Sequence, residues 1–291
     1  MTRSFWALAA TAVFCVGFGP YRPAGAGAIA LGQADAVVAT GTGVTALYAN
    51  PANMAVVKRQ SFDGGLSRDP QAGTSSVFVG GIDATSPWGL AAGVGYSYDM
   101  NWTVDSPQRH LHDLRFGLAA ATESDAGKLM IGVSGRYLTG VDYVSGLAVE
   151  GFGVDVGTGA AISGFRAGLV LRNAMRADFA QTPRRLAAGI GWAGEHFLID
   201  GETSQGLDSF SGPAYRLGLA VQPMEEGLQI RGGYAFDQTV IGHPTRHFAA
   251  LGLSWRTPKY SADFSAAMNV MNVSETIIGL NFGFMVPPDG E

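Results

Sequence analysis

A charged fraction of 15% across 291 residues, together with 42 glycines, is unlike a water-facing domain, in which about a quarter of residues carry charge. The formal net charge of −5 excludes the basic surplus that nucleic-acid binding draws on. The length admits one large all-β domain or two small ones.

Residues 1–26 read as a secretory signal peptide: Arg3, an apolar run from Phe5 to Phe18, and Ala24-Gly25-Ala26 as the cleavage site, with Ala28 or Ala30 able to serve instead. The run is too short for a spanning helix. Cleavage removes Arg3, Arg22 and the single Cys15, leaving 17 basic against 24 acidic residues and a net charge of −7. The mature chain then has no disulfide framework and no thiol chemistry.

Residues 27–58 are rich in Ala, Gly and Thr and lack a clean period of two. A short helix over Thr45–Ala49 is expected, ended by Asn50-Pro51, because a residue before proline leaves the helical region. No charge occurs from Ala36 to Val57, but Thr40, Thr42, Thr45, Asn50 and Asn53 make a lipid-spanning helix a poor reading. Gly41-Thr42-Gly43-Val44-Thr45-Ala46 mimics a dinucleotide fingerprint, which needs a sustained helix in a βαβ unit; Asn50-Pro51 denies it that helix.

From Gln60 onward the pattern alternates. Strands are expected at 60–68, 74–85, 88–98, 112–122, 129–139, 150–158, 164–172, 185–193, 196–203, 214–222, 227–236, 246–256, 259–269 and 275–285. That is about fourteen, most near the nine to eleven residues a tilted membrane strand needs. Every other link is tight: Ser86-Pro87, Ser124–Gly127, Ser163-Gly164, Gly194-Glu195, Met224–Glu226 and Thr257-Pro258. Most of the rest are longer, as between Asp99 and Leu111. Outer-membrane barrels have short periplasmic turns and longer outer loops, which puts both mature termini in the periplasm.

Sidedness points the same way. Leu217 and Leu219 alternate with Arg216 and Gly218, and Leu251, Leu253 and Trp255 with Gly252, Ser254 and Arg256. In the last strand Ile278, Leu280, Phe282 and Phe284 alternate with Gly279, Asn281 and Gly283. A barrel in lipid turns the large face out and the small or polar face in. The fold class expected is therefore all-β: a transmembrane antiparallel β-barrel with an N-terminal plug. Its divisions are a signal peptide (1–26), a plug segment (27–58), the barrel (59–285) and a periplasmic tail (286–291). Aromatics such as Trp88, Tyr96, Trp192, Trp255 and Tyr260 fall toward strand ends, as interface girdles do.

The inner face would collect Arg115, Arg136, Arg166, Arg172, Arg216 and Arg231 with Asp155, Asp200 and Asp263. Either they pair and hold the barrel's shape, or they line a path for a polar or anionic solute. Inward glycines (Gly93, Gly95, Gly117, Gly132, Gly153, Gly168, Gly189, Gly191, Gly218 and Gly233) let another backbone approach, and residues 27–58 are the candidate to do so. His110 and His112 with Asp113, and His243 with His247, fit no closed four-ligand zinc set and read as loop histidines near the outer rim. No catalytic residue, metal site or cofactor is expected.

Ala30-Leu31-Gly32-Gln33-Ala34 and Ala46-Leu47-Tyr48-Ala49-Asn50-Pro51-Ala52 resemble the mature start of FadL-type fatty-acid transporters and PorV-type secretion barrels. The resemblance implies a bacterial outer-membrane location and a hatch inside a fourteen-stranded barrel, with Asn50, Pro51 and Asn53 in the plug or gate. Gly279-x-x-Phe282-x-Phe284 resembles the outer-membrane assembly signal. Two functions follow from the likeness. One is a non-enzymatic barrel that binds or passes small hydrophobic compounds. The other, suggested by the short loops and charged lumen, is a structural subunit of a trans-envelope machine for secretion or gliding motility. The partners would be membrane lipid with a hydrophobic small molecule in the first case, and envelope-complex proteins in the second.

Overall fold

The computed structural model describes residues 27–70, 73–101, 109–141, 148–175, 184–207, 212–223, 227–238 and 245–286. The signal peptide expected at 1–26, the tail beyond 286, the Met224–Glu226 link and His243 lie outside them. Fourteen antiparallel strands close on themselves, β1 (Gln60–Asp69) pairing with both β2 (Thr74–Asp83) and β14 (Asn272–Val286). Between them run β3 (Leu90–Asn101), β4 (Arg109–Ser124), β5 (Gly127–Val141), β6 (Ala148–Ile162), β7 (Phe165–Met175) and β8 (Arg185–Ala193). The circle continues through β9 (Phe197–Gly206), β10 (Pro213–Val221), β11 (Gly227–Asp237), β12 (Arg246–Arg256) and β13 (Tyr260–Asn269).

Closure removes the sheet edge, the one arrangement that leaves no strand unpaired in a medium without water. The outer surface carries Leu217, Leu251 and Phe282 at 58%, 60% and 65% exposure. So continuous an apolar band needs lipid rather than water against it. Turn chemistry accounts for the tight end. Ser163 and Gly164 both take positive φ (47° and 88°), the primed-turn conformation that matches the strands' own twist. The β2–β3 link is longer than Ser86-Pro87, spanning residues 84–89, since Asp83 and Ser86 bond locally to Thr85 and Trp88. β14 likewise begins at Asn272, so its turn from β13 is only Val270-Met271 although it lies at the end opposite the chain's termini.

Residues 27–56 run inside this wall. Helix α1 (Gly27–Gly32) lies against β12–β14 and β1, and α2 (Val44–Ala49) against β1–β4. A 3-10 turn, Pro51–Ala55, meets β3–β6. The segment thus touches most of the circumference and is almost wholly buried. Of the inward glycines named above, all but Gly153 face it: a Cβ added at Gly95 would stand 2.6 Å from the Tyr48 hydroxyl, and one at Gly191 2.6 Å from the Thr40 methyl. Gly80, Gly157, Gly159, Gly252 and Gly279 do the same and extend the set.

The rule of a small, polar inner face has exceptions. Phe78, Ile82, Met130, Leu138, Val170 and Phe248 turn inward and are buried. Several of them face apolar residues of the inner segment: Phe78 and Ile82 join Val44, Leu47, Tyr48 and Met54, Phe248 meets Leu31, and Val170 meets Val38.

At Gly157 and Gly168 an added Cβ would collide with Asn50 and with the Val38 carbonyl. Gly157→Val or Gly168→Val is expected to lower stability by about 2 kcal/mol, the usual cost of overpacking. The segment should become protease-sensitive while the barrel keeps its heat-modifiable gel migration. Unchanged proteolysis and an unchanged unfolding midpoint would contradict so close a fit.

Candidate functional site

Side-chain hydrogen bonds join residues 33–56 to the inner wall. Asn50 is their knot. Pro51 forces Asn50 into extended backbone (φ −151°), so that α2 stops there and the Asn50 side chain caps the following turn by accepting from the Ala52 amide at 3.2 Å. The Nδ2 of Asn50 donates to the Val38 carbonyl (3.1 Å) and to the Thr158 carbonyl on β6 (3.0 Å). Asn53 Nδ2 donates to the carbonyls of Val38 (3.0 Å) and Ala39 (3.2 Å). Two amides therefore tie the turn to the 38–39 stretch, and one of them also ties it to the wall. All three residues named from the sequence, Asn50, Pro51 and Asn53, are buried in this knot.

The second anchor is Asp200 on β9, which accepts from the Thr40 amide (3.0 Å) and hydroxyl (2.6 Å). Arg166 donates to the Thr40 carbonyl at 3.4 Å and Arg172 to the Ala49 carbonyl at 3.3 Å. Ser265 on β13 donates to the Ala28 carbonyl at 2.7 Å. These wall groups satisfy backbone atoms that water would otherwise have to reach.

The other charges named from the sequence fall in ion-paired groups. On β4–β6, Arg115 contacts Asp113 (3.2 Å) and Asp155 (3.3 Å), Arg136 contacts Asp113 (2.7 Å), and the Arg115 guanidinium lies 4.6 Å from the centre of the Tyr48 ring. Asp155 also takes the Asn173 amide at 2.7 Å, where β7 bulges and Asn173 turns to φ 53°. On β9–β11, Arg216 reaches Glu202 (2.9 Å) and Asp237 (3.7 Å). On β11–β13, Arg231 reaches Asp263 (2.8 Å), which also accepts from Ser254. Sequence reasoning omitted Asp113, Glu202, Asp237 and Thr40 from its list, and grouped Asp113 with the rim histidines. The first three share the inward parity of their strands, which was the available signal; Thr40 lies in a stretch with no periodicity.

Every charge assigned to the lumen is thus inward, and the structure brings them into separate groups rather than one continuous track. Gly279, Phe282 and Phe284 sit in the closing strand, with Gly279 facing α1 and Phe282 outward. His110 and His112 join an aromatic group with Tyr98, and His112 Nδ1 lies 2.6 Å from the Tyr96 hydroxyl.

Asn50→Asp keeps the shape but turns a carboxylate oxygen on the Val38 and Thr158 carbonyls. The expected loss is about 3 kcal/mol of stability at neutral pH, partly regained as acid protonates the carboxyl and restores a donor. Unfolding midpoints at two pH values check it; an equal midpoint for both proteins at neutral pH would contradict the bonding described.

No family model and no curated protein matches the chain. Solved structures do. The TodX deltaS2S3 mutant, a monoaromatic hydrocarbon channel, aligns with TM-score 0.65 at 11% identity over 89% of this chain and 98% of its own. The toluene transporter TodX of P. putida aligns at 0.58 and 10% identity over 89% and 96%. A Pseudomonas aeruginosa FadL homologue gives 0.54 and 12% over 89% and 97%. At such identities the likeness is one of architecture, and with the closed ring of fourteen strands it establishes that the chain has the fold of a FadL-type outer-membrane barrel.

Proposed function

We propose that the protein sits in the bacterial outer membrane, with both mature termini periplasmic, and passes small hydrophobic compounds past residues 27–58, which act as a plug and gate. The observation that carries this reading is the asymmetry of the segment's contacts. It is fixed by directed hydrogen bonds at Thr40 and Asn50, whereas toward β2–β4 it presents Val44, Leu47, Tyr48 and Met54 to Phe78, Ile82, Ala91 and Ala119. An apolar seam inside a charged bore gives hydrocarbon a lane that costs little desolvation, and non-directional contacts part without stranding polar groups. The similar barrels named as hydrocarbon and toluene conduits support the substrate class. Their role is non-enzymatic, and we extend that to this chain.

A second reading, a structural subunit of a trans-envelope machine, draws on strand length. β4 has 16 residues and β5, β6 and β14 have 15 each, more than the roughly ten that cross a membrane, which leaves wall standing clear of lipid for a partner.

The mature chain lacks cysteine, so a single engineered disulfide can test the gate. A Cβ at Gly80 would lie 2.7 Å from Val44 Cγ1, which puts the two Cβ atoms within disulfide reach. Cells lacking the protein are expected to take up toluene or long-chain fatty acid several-fold more slowly. Val44→Cys with Gly80→Cys should restore uptake only under reducing conditions. Undiminished uptake in the deletion strain would overturn the transport reading; equal uptake oxidised and reduced would overturn the gate. Stoichiometric capture of envelope proteins, with undiminished uptake, would favour the scaffold.

A further inference from the structure

Below the inner segment, at the end of the bore where the chain enters and leaves the barrel, a recess of about 90 Å³ opens among Gln33, Arg59, Asp63, Gln229, Arg231 and Arg256. Its walls come from the ends of β1, β11 and β12 and from the turn after α1, so strand closure itself gathers three guanidiniums there. Two carboxylates are near, and both are engaged. Asp63 is turned to the Val44 amide at 3.4 Å, and Asp263 stands behind Arg231, holding Nη1 at 2.8 Å and accepting from Ser254. Three cations therefore face two anions, of which Asp263 is paired with Arg231 Nη1 and Asp63 is turned to the Val44 amide.

The buried side-chain atoms of the lining that lack a hydrogen-bond partner are donors. Arg231 is 1% exposed, yet its Nε and Nη2 have no hydrogen-bond partner, and neither do Arg256 Nε and Gln33 Nε2, among the described residues. Asp263 Oδ2 is also unpartnered but does not line the recess. Burial and the neighbouring Arg256 hold the Arg59 guanidinium below the usual arginine range, Asp63 opposing them. A buried guanidinium with two idle N–H groups presents the fork that carboxylate and phosphate oxygens fit.

We propose that this recess is a binding site for one oxyanion group, a carboxylate or a phosphate, presented at the periplasmic mouth. The site does not depend on the transport reading: it would bind the anion equally in a scaffold barrel. Its volume suits a single such headgroup, and Arg59 and Arg256, both only partly buried, give it access from the mouth.

The test uses the mature barrel purified in a nonionic detergent, titrated calorimetrically with inorganic phosphate, acetate and decanoate at fixed ionic strength. Arg256→Gln and Arg59→Gln are the informative variants because these side chains are not fully buried; retained heat-modifiable migration confirms that they fold. Arg246→Gln, which removes an arginine paired with Glu275 on the opposite rim, controls for net charge. Binding of at least one anion is expected, weakened roughly tenfold or more in either recess variant, the loss of one charge-assisted hydrogen bond, and unchanged in Arg246→Gln. Preference for phosphate would identify a free inorganic anion; decanoate well above acetate would identify an amphipathic solute. No binding up to about ten millimolar of any probe, or equal weakening in the rim control, would overturn the proposal.

Discussion

A barrel in lipid must bond every backbone and polar group to something other than bulk water, and in this protein that requirement reaches from the wall into the bore. Strand closure satisfies the wall. Closure also points half of each strand's side chains into a narrow space, where Arg115, Arg231 and Asp200 are buried to within 1% of complete. Charges so placed are tolerable only when paired, and breaking one pair costs more than forming it returns. The closed groups around Asp113, Glu202 and Asp263 answer that constraint.

The inner segment answers the rest of it. Arg166 and Arg172, which lie apart from those groups, donate to segment carbonyls; Asp200 accepts from the segment's Thr40. Glycines along the wall give the segment the clearance to reach them. Gly168 and Gly189 lie against the 38–39 stretch, and Gly218 and Gly233 against Gln33. Side chains there would hold the segment off and leave both sets of polar groups unbonded. Wall and segment are therefore one design: neither the glycines nor the arginines make sense without the other.

Much of this was legible in the sequence because a strand's period of two reports sidedness directly. The alternation from Thr276 to Phe284 predicts outward Phe282 and inward Asn281, and that is where they lie. Inward parity likewise identified Arg115, Arg216 and Asp263. Parity says which side a residue faces and nothing about what it meets there. Phe78 and Ile82 are apolar on an inner face because Val44, Leu47 and Met54 cover them. Thr40 and Asp200 are 160 positions apart, and α1 is a helix of six residues with no charge pattern to announce it. Pairings at such separations are set by the closed ring, not by local propensity.

How the two kinds of contact are distributed then decides what the segment can do without unfolding the barrel. Most of its directed bonds fall on β6–β9 and β13, at Thr158, Asp200, Glu202, Arg166, Arg172 and Ser265, with two more at Asp63 on β1 and Lys128 on β5. Shifting the segment away from these would strand buried carbonyls and an aspartate, each at about 1–3 kcal/mol or more. Toward β2–β4 the contacts are predominantly apolar, with the Arg115–Tyr48 contact the notable exception. Shear there would exchange one van der Waals surface for another and weaken one cation–π contact worth about 1 kcal/mol. On the gating proposed above, the displacement of lowest cost would pivot on the Asn50 and Thr40 anchors and part Leu47 and Tyr48 from Gly95 and Gly117, against which they pack closely.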